Sequence, residues 1–510
     1  MQVRLSLPTR VPLQKVFIFA LALFCVQLFQ RTNVFFALMF FGFLVMSALA
    51  FNIAEGFSRL TGAYIFWYAT LIVLIGVFWK VVVNEPADSN LQAPMLDMAL
   101  YTASMAMLLG VTLVNRRIDL RSMGVGSGFG GAKVDLSVAG LGCCITSIAI
   151  DFLGAIFGVA PGGVISALNQ VNFFFQLGII LATAGAIRDS GGKRTMNFAN
   201  TLGIVLFSLV GLSSFGKQGM LTPYLCWVIG AFYMRLKVRL IHVLVFAMMV
   251  VLTFEFIGPL STARDLVPEN AGIGTRFEVI AFQITHWSQF KAHVKDLEET
   301  GGHDNGALTY YNSPQGSFIE RLSMISPDDT FIAYTARGSN FAGTAPLVEW
   351  AMGAVPRFLN PNKENIYTGN HFAHEIGGYL SPDDFSTGIS FSPVSTAYHC
   401  LGWGGIFWVL PLVWILLFTS TDFVAGDLSK HPWGLMVVVW FAHQAPESLI
   451  SGMVYFIGYG NFGMFIAIII STRIAPIIGS LFTGKVLPVR TQSVTRRRIV
   501  PPIQSPQLQE

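Results

Sequence analysis

The sequence predicts an all-α protein: a polytopic integral-membrane helical bundle of about 12 transmembrane helices with one large, mostly helical outer loop. The first observation is the composition, since 53% of the 510 residues are hydrophobic and only 12% are charged, which is not the balance of a soluble domain. The second is the recurrence of apolar runs near the roughly 20 residues that cross a bilayer. The third is a long polar segment, residues 259–400, that interrupts these runs.

The predicted spans and the polar segment divide the chain into four parts. Residues 1–258 form a transmembrane region of about nine spans, and residues 259–400 form the large outer loop. Residues 401–475 supply the last three spans, and residues 476–510 form a basic tail that we expect to be disordered. The expected spans are 16–28, 34–54, 62–83, 95–114, 135–160, 163–186, 201–215, 219–234, 240–258, 402–421, 433–450 and 453–472.

The distribution of positive charge predicts the orientation. Lys and Arg collect in the connections 116–133, 188–194 and 235–239 and again in the C-terminal tail. Cytoplasmic connections carry this excess, so we expect both termini in the cytoplasm and residues 259–400 on the outer side. The net charge of +4 therefore reports orientation and does not predict nucleic-acid binding.

The sequence does not support several other kinds of functional site. Five cysteines, none in a CxxC pair, predict neither a disulfide framework nor a zinc site. The order His371-x-x-His374-Glu375 differs from the zinc-protease spacings, so no metal and no cofactor is predicted. The glycine-rich stretch 124–131 lacks the frame of a nucleotide-binding loop and is interpreted as a flexible linker, and 191–194 likewise lacks the frame of a phosphate-binding loop.

The outer loop contains fifteen of the 28 acidic residues but only eight of the 32 basic ones. Thr275 and Glu278 have the spacing of a capping box and predict an amphipathic helix that ends at Gly301. Arg276 would lie in its first turn, where it either pairs with a carboxylate such as Glu278 or clamps a pyrophosphate. Thr344 predicts the start of a second short helix.

Three motifs resemble those of a known family. The stretch from Pro356-Arg357 to Lys363 is similar to a segment in the outer loop of bacterial O-antigen and exopolysaccharide repeat-unit polymerases. The stretch from Ser392 to Gly405 is similar to the segment that leads back into the membrane, and Ser213 to Gly219 matches a short turn in which Lys217 replaces the more usual Arg. The overall pattern also fits O-antigen ligases.

The resemblance implies a metal-independent glycosyltransferase of the bacterial inner membrane that polymerises oligosaccharide repeat units on the periplasmic face. Its implied partners are a polyprenyl-pyrophosphate-linked oligosaccharide, membrane lipids and a chain-length-regulating membrane protein. An O-antigen ligase, which transfers a finished glycan to a lipid acceptor, is one alternative. A transporter or flippase of lipid-linked glycans, or a non-catalytic assembly partner, is another.

Departure of a pyrophosphate requires cations near the leaving group, and arginine binds phosphate oxygens in pairs. Arg276 ranks first as a catalytic and binding residue. The other cations considered are Lys217, Arg264, Arg321, Arg337 and Arg357. The acceptor hydroxyl needs a proton acceptor, for which the candidates are His399, His374 and Glu349, with His371 and Glu375 also in the loop.

Ionisable groups inside predicted spans form a last group of candidates, because their burial in lipid is costly. His443 and Glu447 are four residues apart and share a helix face; they either line a cavity below the loop or meet water where Pro446 breaks the helix. Asp151 is expected to pair with Asn169 or Gln170 of the next span.

Overall fold

The computed structural model describes residues 6–484, except 130–133, 158–164, 166–167, 170–171, 258, 261–262, 268–271, 305–309, 313–318, 356–365, 378–379, 381 and 386–387. Within these residues every regular element is a helix, which confirms the all-α prediction. The α-helices are Leu13–Phe29, Val34–Ile53, Leu60–Ala69, Ile75–Val82, Pro94–Ile118, Val125–Phe129, Leu136–Phe157, Phe174–Asp189, Phe198–Ser213, Lys217–Tyr233, Leu240–Leu252, Ile273–Thr285, Trp287–Asp304, Ile325–Gly338, Ala345–Gly353, Gly369–Ile376, Pro393–Leu401, Leu410–Ala425, Leu435–Glu447, Ile450–Tyr455, Asn461–Arg473 and Ala475–Thr483.

Six helices of the described residues are long and apolar enough to cross a membrane, which indicates a membrane protein. Three of them contain a π-helical turn, so the span is longer than its α-helical parts. The six are Val34–Ile53, Leu60–Val82, Pro94–Ile118, Leu136–Gly154, Gly405–Ala425 and Ile450–Arg473. Other apolar helices, such as Leu13–Phe29 and Phe198–Ser213, are shorter than 18 residues.

Close helix packing explains several glycines of the bundle. A Cβ atom on Gly142 would lie 1.9 Å from the Ala475 carbonyl oxygen, and one on Gly479 would lie 2.0 Å from that of Val138. Glycine therefore lets Leu136–Phe157 and Ala475–Thr483 approach backbone to backbone, as small residues do between membrane helices.

One end of the bundle is held by a group of ion pairs, which we call the arginine cluster: Glu55, Arg59, Asp119 and Arg121. Arg59 is 2% exposed and donates to Glu55 at 3.3 Å and Asp119 at 3.0 Å. Arg121 also donates to Asp119, at 2.8 Å, and this hydrogen bond is the main reason that the pKa of Asp119 is lowered to about 2. The cluster joins the end of Val34–Ile53 to the end of Pro94–Ile118.

The polar segment docks at the other end of the same helices. The Tyr311 hydroxyl donates to the Ala87 carbonyl at 2.7 Å, and Lys80 Nζ lies 4.8 Å from the centroid of the Tyr311 ring. Lys80 is buried and pairs with Glu85 at 2.6 Å, so its charge is compensated. The polar segment and the arginine cluster therefore lie at opposite ends of Leu60–Val82 and Pro94–Ile118.

The boundaries predicted for the amphipathic helix, from Thr275 to Gly301, are wrong. It begins at Ile273 after Gly272, which supplies no side-chain cap, and it is interrupted at His286. The Thr285 hydroxyl donates to the Phe282 carbonyl at 2.8 Å, and the His286 ring contacts the same carbonyl at 3.0 Å. Such local side-chain bonds compete with the helical ladder.

Two further expectations need correction. The stretch beginning at Gly124 is not a flexible linker in its described part, because Val125–Phe129 is helical. A Cβ atom on Gly124 would lie 2.0 Å from the Phe423 carbonyl oxygen, so this glycine permits packing. Asp151 accepts a hydrogen bond from Asn172 Nδ2 at 3.1 Å and, within the described residues, none from Asn169; the other predicted partner, Gln170, lies outside the described residues.

Candidate functional site

Three short helices of the polar segment meet on the bundle and position the candidate site. Ile325–Gly338 packs against Pro393–Leu401 and Gly369–Ile376, and it also contacts Pro94–Ile118. Ser392 caps Pro393–Leu401 by accepting from two backbone N–H groups, and Thr368 caps Gly369–Ile376 by accepting from that of His371. These caps satisfy otherwise unpaired N–H groups and fix where each helix starts.

Asp328 fixes two of these helices to the bundle. Its carboxylate accepts from the Ser395 hydroxyl at 2.6 Å, the Tyr101 hydroxyl at 2.7 Å and the Ser392 N–H at 2.9 Å. Burial raises the pKa of Asp328 to about 6, although these hydrogen bonds lower it. The carboxylate is completely buried, and three donors make that burial tolerable.

Asp329 supplies a second attachment. Its carboxylate accepts from the N–H groups of Gln92 at 2.8 Å and Ala93 at 2.7 Å, at the start of Pro94–Ile118. No group of the described residues forms a hydrogen bond with the carboxyl oxygens of the buried Asp97.

His399 lies behind the accessible surface of the site. It is completely buried, and its ring packs against Phe331 at 4.5 Å and Phe372 at 5.3 Å between centroids. Its Nδ1 lies 2.9 Å from the Thr335 hydroxyl, which donates its single proton to the Phe331 carbonyl at 2.8 Å. Its Nε2 atom is turned toward Glu375.

Glu375 is the accessible partner of His399. Its Oε2 lies 3.5 Å from His399 Nε2, and its side chain is 30% exposed. The pKa of Glu375 is lowered mainly by its contact with His399, with a smaller contribution from a hydrogen bond with Tyr334. The contact leaves one edge of the carboxylate open toward solvent, so Glu375 and not His399 is the group that a substrate can reach.

The helix that carries Tyr334 also carries an exposed cation. Arg337 is exposed in the last turn of Ile325–Gly338, three residues after Tyr334. Residues three apart lie on the same helix face, so the guanidinium is presented on the side where Tyr334 contacts Glu375. The sequence provides Arg337 as one of several loop cations, and the structure places it on the helix that carries Tyr334.

Arg276 lies at the turn that carries another of the family-like motifs. Its Nη1 donates to the Ser213 carbonyl at 3.2 Å, at the end of Phe198–Ser213, and Lys217 begins the next helix. This region has its own small apolar core, which includes Phe215 and Ile280. The side chains of Lys217, Arg264 and Arg321 lie outside the described residues, as does the whole of Arg357.

Two other candidates hold backbone groups. Glu349 accepts from the N–H groups of Ile366 at 2.8 Å and Tyr367 at 3.2 Å, which fixes the chain just before Gly369–Ile376. His374 Nε2 donates to the Asp384 carbonyl at 2.9 Å, and its ring stacks on Phe385. Both contacts support the helix that carries Glu375.

His443 and Glu447 lie on one helix face, as expected from their spacing, and contact each other. His443 Nε2 lies 3.0 Å from Glu447 Oε2, and the two side chains are 31% and 27% exposed. The helix Leu435–Glu447 ends directly after Pro446, so the pair lies at a helix end. Among the described residues, no group of three His, Cys, Asp or Glu side chains is arranged to hold a metal ion.

Comparison with known proteins adds no assignment. No family profile, no curated protein and no solved structure matches this chain. The site must therefore be interpreted from its own residues.

The raised pKa of Asp328 leads to a stability prediction. Folding favours its protonated form, so its stabilising contribution is complete below its ordinary pKa of 3.8 and is lost as the pH rises through about 6. In detergent, the thermal stability of Asp328→Asn should fall less between these pH values than that of the wild type. Asp383→Asn, at an exposed carboxyl of the same segment, should retain the wild-type slope. Equal slopes for Asp328→Asn and the wild type would contradict the assignment.

Proposed function

We propose that this protein is a membrane glycosyltransferase that polymerises polyprenyl-pyrophosphate-linked oligosaccharide repeat units on the periplasmic face of the bacterial inner membrane. The observation that carries the proposal is the contact between Glu375 and His399, where the polar segment meets the spans. A carboxylate–imidazole pair at a membrane surface can take a proton from a sugar hydroxyl. The family-like motifs in the sequence supply the substrate class.

The orientation proposed for the site rests on charge. Arg116 and Arg117 are exposed at the end of Pro94–Ile118, next to the arginine cluster, and positive charge favours the cytoplasmic side. The opposite end, with Glu375, would then face the periplasm. We further propose that six shorter helices also span, giving twelve in all with both termini in the cytoplasm. These helices are Leu13–Phe29, Phe174–Asp189, Phe198–Ser213, Lys217–Tyr233, Leu240–Leu252 and Leu435–Glu447.

In the proposed reaction, an acceptor hydroxyl oxygen attacks the anomeric carbon of the donor sugar. The bond from that carbon to the diphosphate oxygen breaks, and the electron pair leaves with polyprenyl diphosphate. The hydroxyl proton passes to the Glu375 carboxylate. His399 acts as a positioning residue, because Thr335 and the surrounding aromatic rings hold it against Glu375.

Cations would stabilise the departing diphosphate. Arg337 is exposed on the helix that carries Tyr334, and Arg276 Nη1 donates to the Ser213 carbonyl. We propose that Arg337 binds the reacting diphosphate and that Arg276 positions the lipid carrier. No metal ion enters this reaction.

The product formed by purified protein tests the function. With a polyprenyl-pyrophosphate-linked repeat unit as the sole sugar substrate, we expect a ladder of oligosaccharide lengths that persists in the presence of a chelator. A single transfer to an added lipid acceptor would instead identify a ligase. No transfer under either condition would reject the transferase and favour a transporter of the same substrate.

Glu375 and His399 should have different kinetic signatures. Glu375→Gln should lower kcat/KM by roughly 10²–10⁴-fold, because it removes the proton acceptor. His399→Gln should retain activity at neutral pH but shift the acidic limb of the kcat/KM profile to higher pH, because the main cause of the lowered Glu375 pKa is lost. His293→Gln, at an exposed loop histidine, should have the wild-type profile. An unshifted limb in His399→Gln would remove His399 from the mechanism.

The cation assignment can be tested in the same assay. Arg337→Ala should lower kcat/KM by about 10²–10³-fold, and Arg337→Lys should restore only part of this because a single ammonium cannot bind two phosphate oxygens in parallel. Arg276→Ala should mainly raise KM for the lipid-linked donor. Lys291→Ala, at an exposed loop cation paired with Glu255, is the matched control and should be near wild type. Wild-type kinetics in Arg337→Ala would exclude its role.

A further inference from the structure

A cavity of about 570 Å³ lies at the end of the bundle opposite Glu375. It is formed where Leu136–Phe157 begins, Phe174–Asp189 ends and Phe198–Ser213 begins. The residues of its wall that matter here are Ser137, Lys193, Arg194, Met196, Asn197 and Phe198.

The turn that carries the two cations has a fixed backbone. Gly191 and Gly192 have φ angles of +59° and +86°, which L side chains rarely adopt, and neither packs against a neighbour. Glycine is therefore required there by the turn conformation. The Ser190 hydroxyl accepts from the Arg194 N–H at 2.9 Å and donates to its carbonyl at 3.2 Å. Together these features hold Lys193 and Arg194 at the rim of the cavity.

The charge of these two side chains is not compensated by the described residues. None of the ion pairs within that part of the chain includes Lys193 or Arg194. Asp189 also lines the cavity, but Arg188 donates to it at 3.2 Å and the Ser137 hydroxyl at 3.2 Å. The Asp189 carboxylate therefore already has two partners of its own. Lys193 and Arg194 consequently give the rim of the cavity an excess of positive charge.

A second part of the cavity wall is apolar and open. Phe198 is 73% exposed and Met196 is 45% exposed, although both lie beside the two cations in sequence. A soluble phosphate ion would contact only the two cations. A phospholipid would use both parts of the wall, because its headgroup phosphate matches the cations and its acyl chains match Phe198 and Met196.

We propose that this cavity binds the phosphate group of an anionic phospholipid, with Lys193 and Arg194 at the phosphate and Phe198 along the acyl chains. The site lies at the same end of the bundle as the arginine cluster, where the membrane surface would supply such lipids. The proposal is independent of the glycosyl transfer reaction, because none of its residues is near Glu375.

Lipid-dependent stabilisation of the purified full-length protein tests the site. Phosphatidylglycerol, phosphatidylcholine or inorganic phosphate is titrated into detergent micelles while Tm is measured. We expect phosphatidylglycerol alone to raise Tm. The double variant Lys193→Ala/Arg194→Ala should need about thirtyfold more of this lipid for the same shift, whereas Arg116→Ala/Arg117→Ala, with the same charge loss at the same end, should respond as the wild type does.

Each other outcome overturns the proposal. An equal rise with phosphatidylcholine would show that the headgroup charge is not recognised, and an equal rise with inorganic phosphate would show a soluble anion site instead. An unchanged response of the Lys193→Ala/Arg194→Ala variant would exclude the cavity. The charge-preserving variant Lys193→Arg/Arg194→Lys should keep the lipid response, which separates loss of charge from loss of fold.

Discussion

The structure depends on how buried carboxylates attach the polar segment to the apolar bundle. Asp328 and Asp329 lie side by side in a buried helix, and each obtains its hydrogen-bond donors from a different element. A buried carboxylate without donors is strongly destabilising, so these contacts permit one placement of Ile325–Gly338 on the start of Pro94–Ile118. Thr335, on the same helix, is thereby set against His399.

The division of roles within the candidate site follows from this placement. His399 is enclosed by Phe331 and Phe372 and anchored at Nδ1, so it is a fixed group that a substrate does not contact. Glu375 is held from one side by His399 and is open on the other. Rigid support behind an accessible reactive group is the usual means of preorganisation. Glu349 and His374 extend this support to the backbone on both sides of Glu375.

The helical fold class, the polar segment and the residue types of the candidate site could be predicted from the sequence, because apolar runs and residue types are local properties. It could not predict which candidates meet: His399 and Glu375 are separated by 23 residues and by a loop, and only tertiary packing brings them together. The burial of His399 could not be predicted from the sequence either. Asp328 and Asp329 were missed because the stretch from Ile325 to Ala333 also contains Ser326 and Thr330, so its composition does not indicate that the two acids are buried. The exact ends of the helices could not be predicted either, because they depend on competing local hydrogen bonds. One example is the contact of the His286 ring with the Phe282 carbonyl, where a helix is interrupted.

The central claim is that the polar segment docks on the outer end of the bundle, opposite the arginine cluster. Cysteine labelling in spheroplasts with a membrane-impermeant maleimide tests it, in a Cys25→Ser background because the other four cysteines are buried. Thr344→Cys lies on the polar segment, and Arg117→Cys lies beside the arginine cluster; both positions are exposed. The account predicts that Thr344→Cys is labelled in intact spheroplasts and that Arg117→Cys is labelled only after lysis. Labelling of Arg117→Cys in intact spheroplasts, with Thr344→Cys protected until lysis, would contradict it.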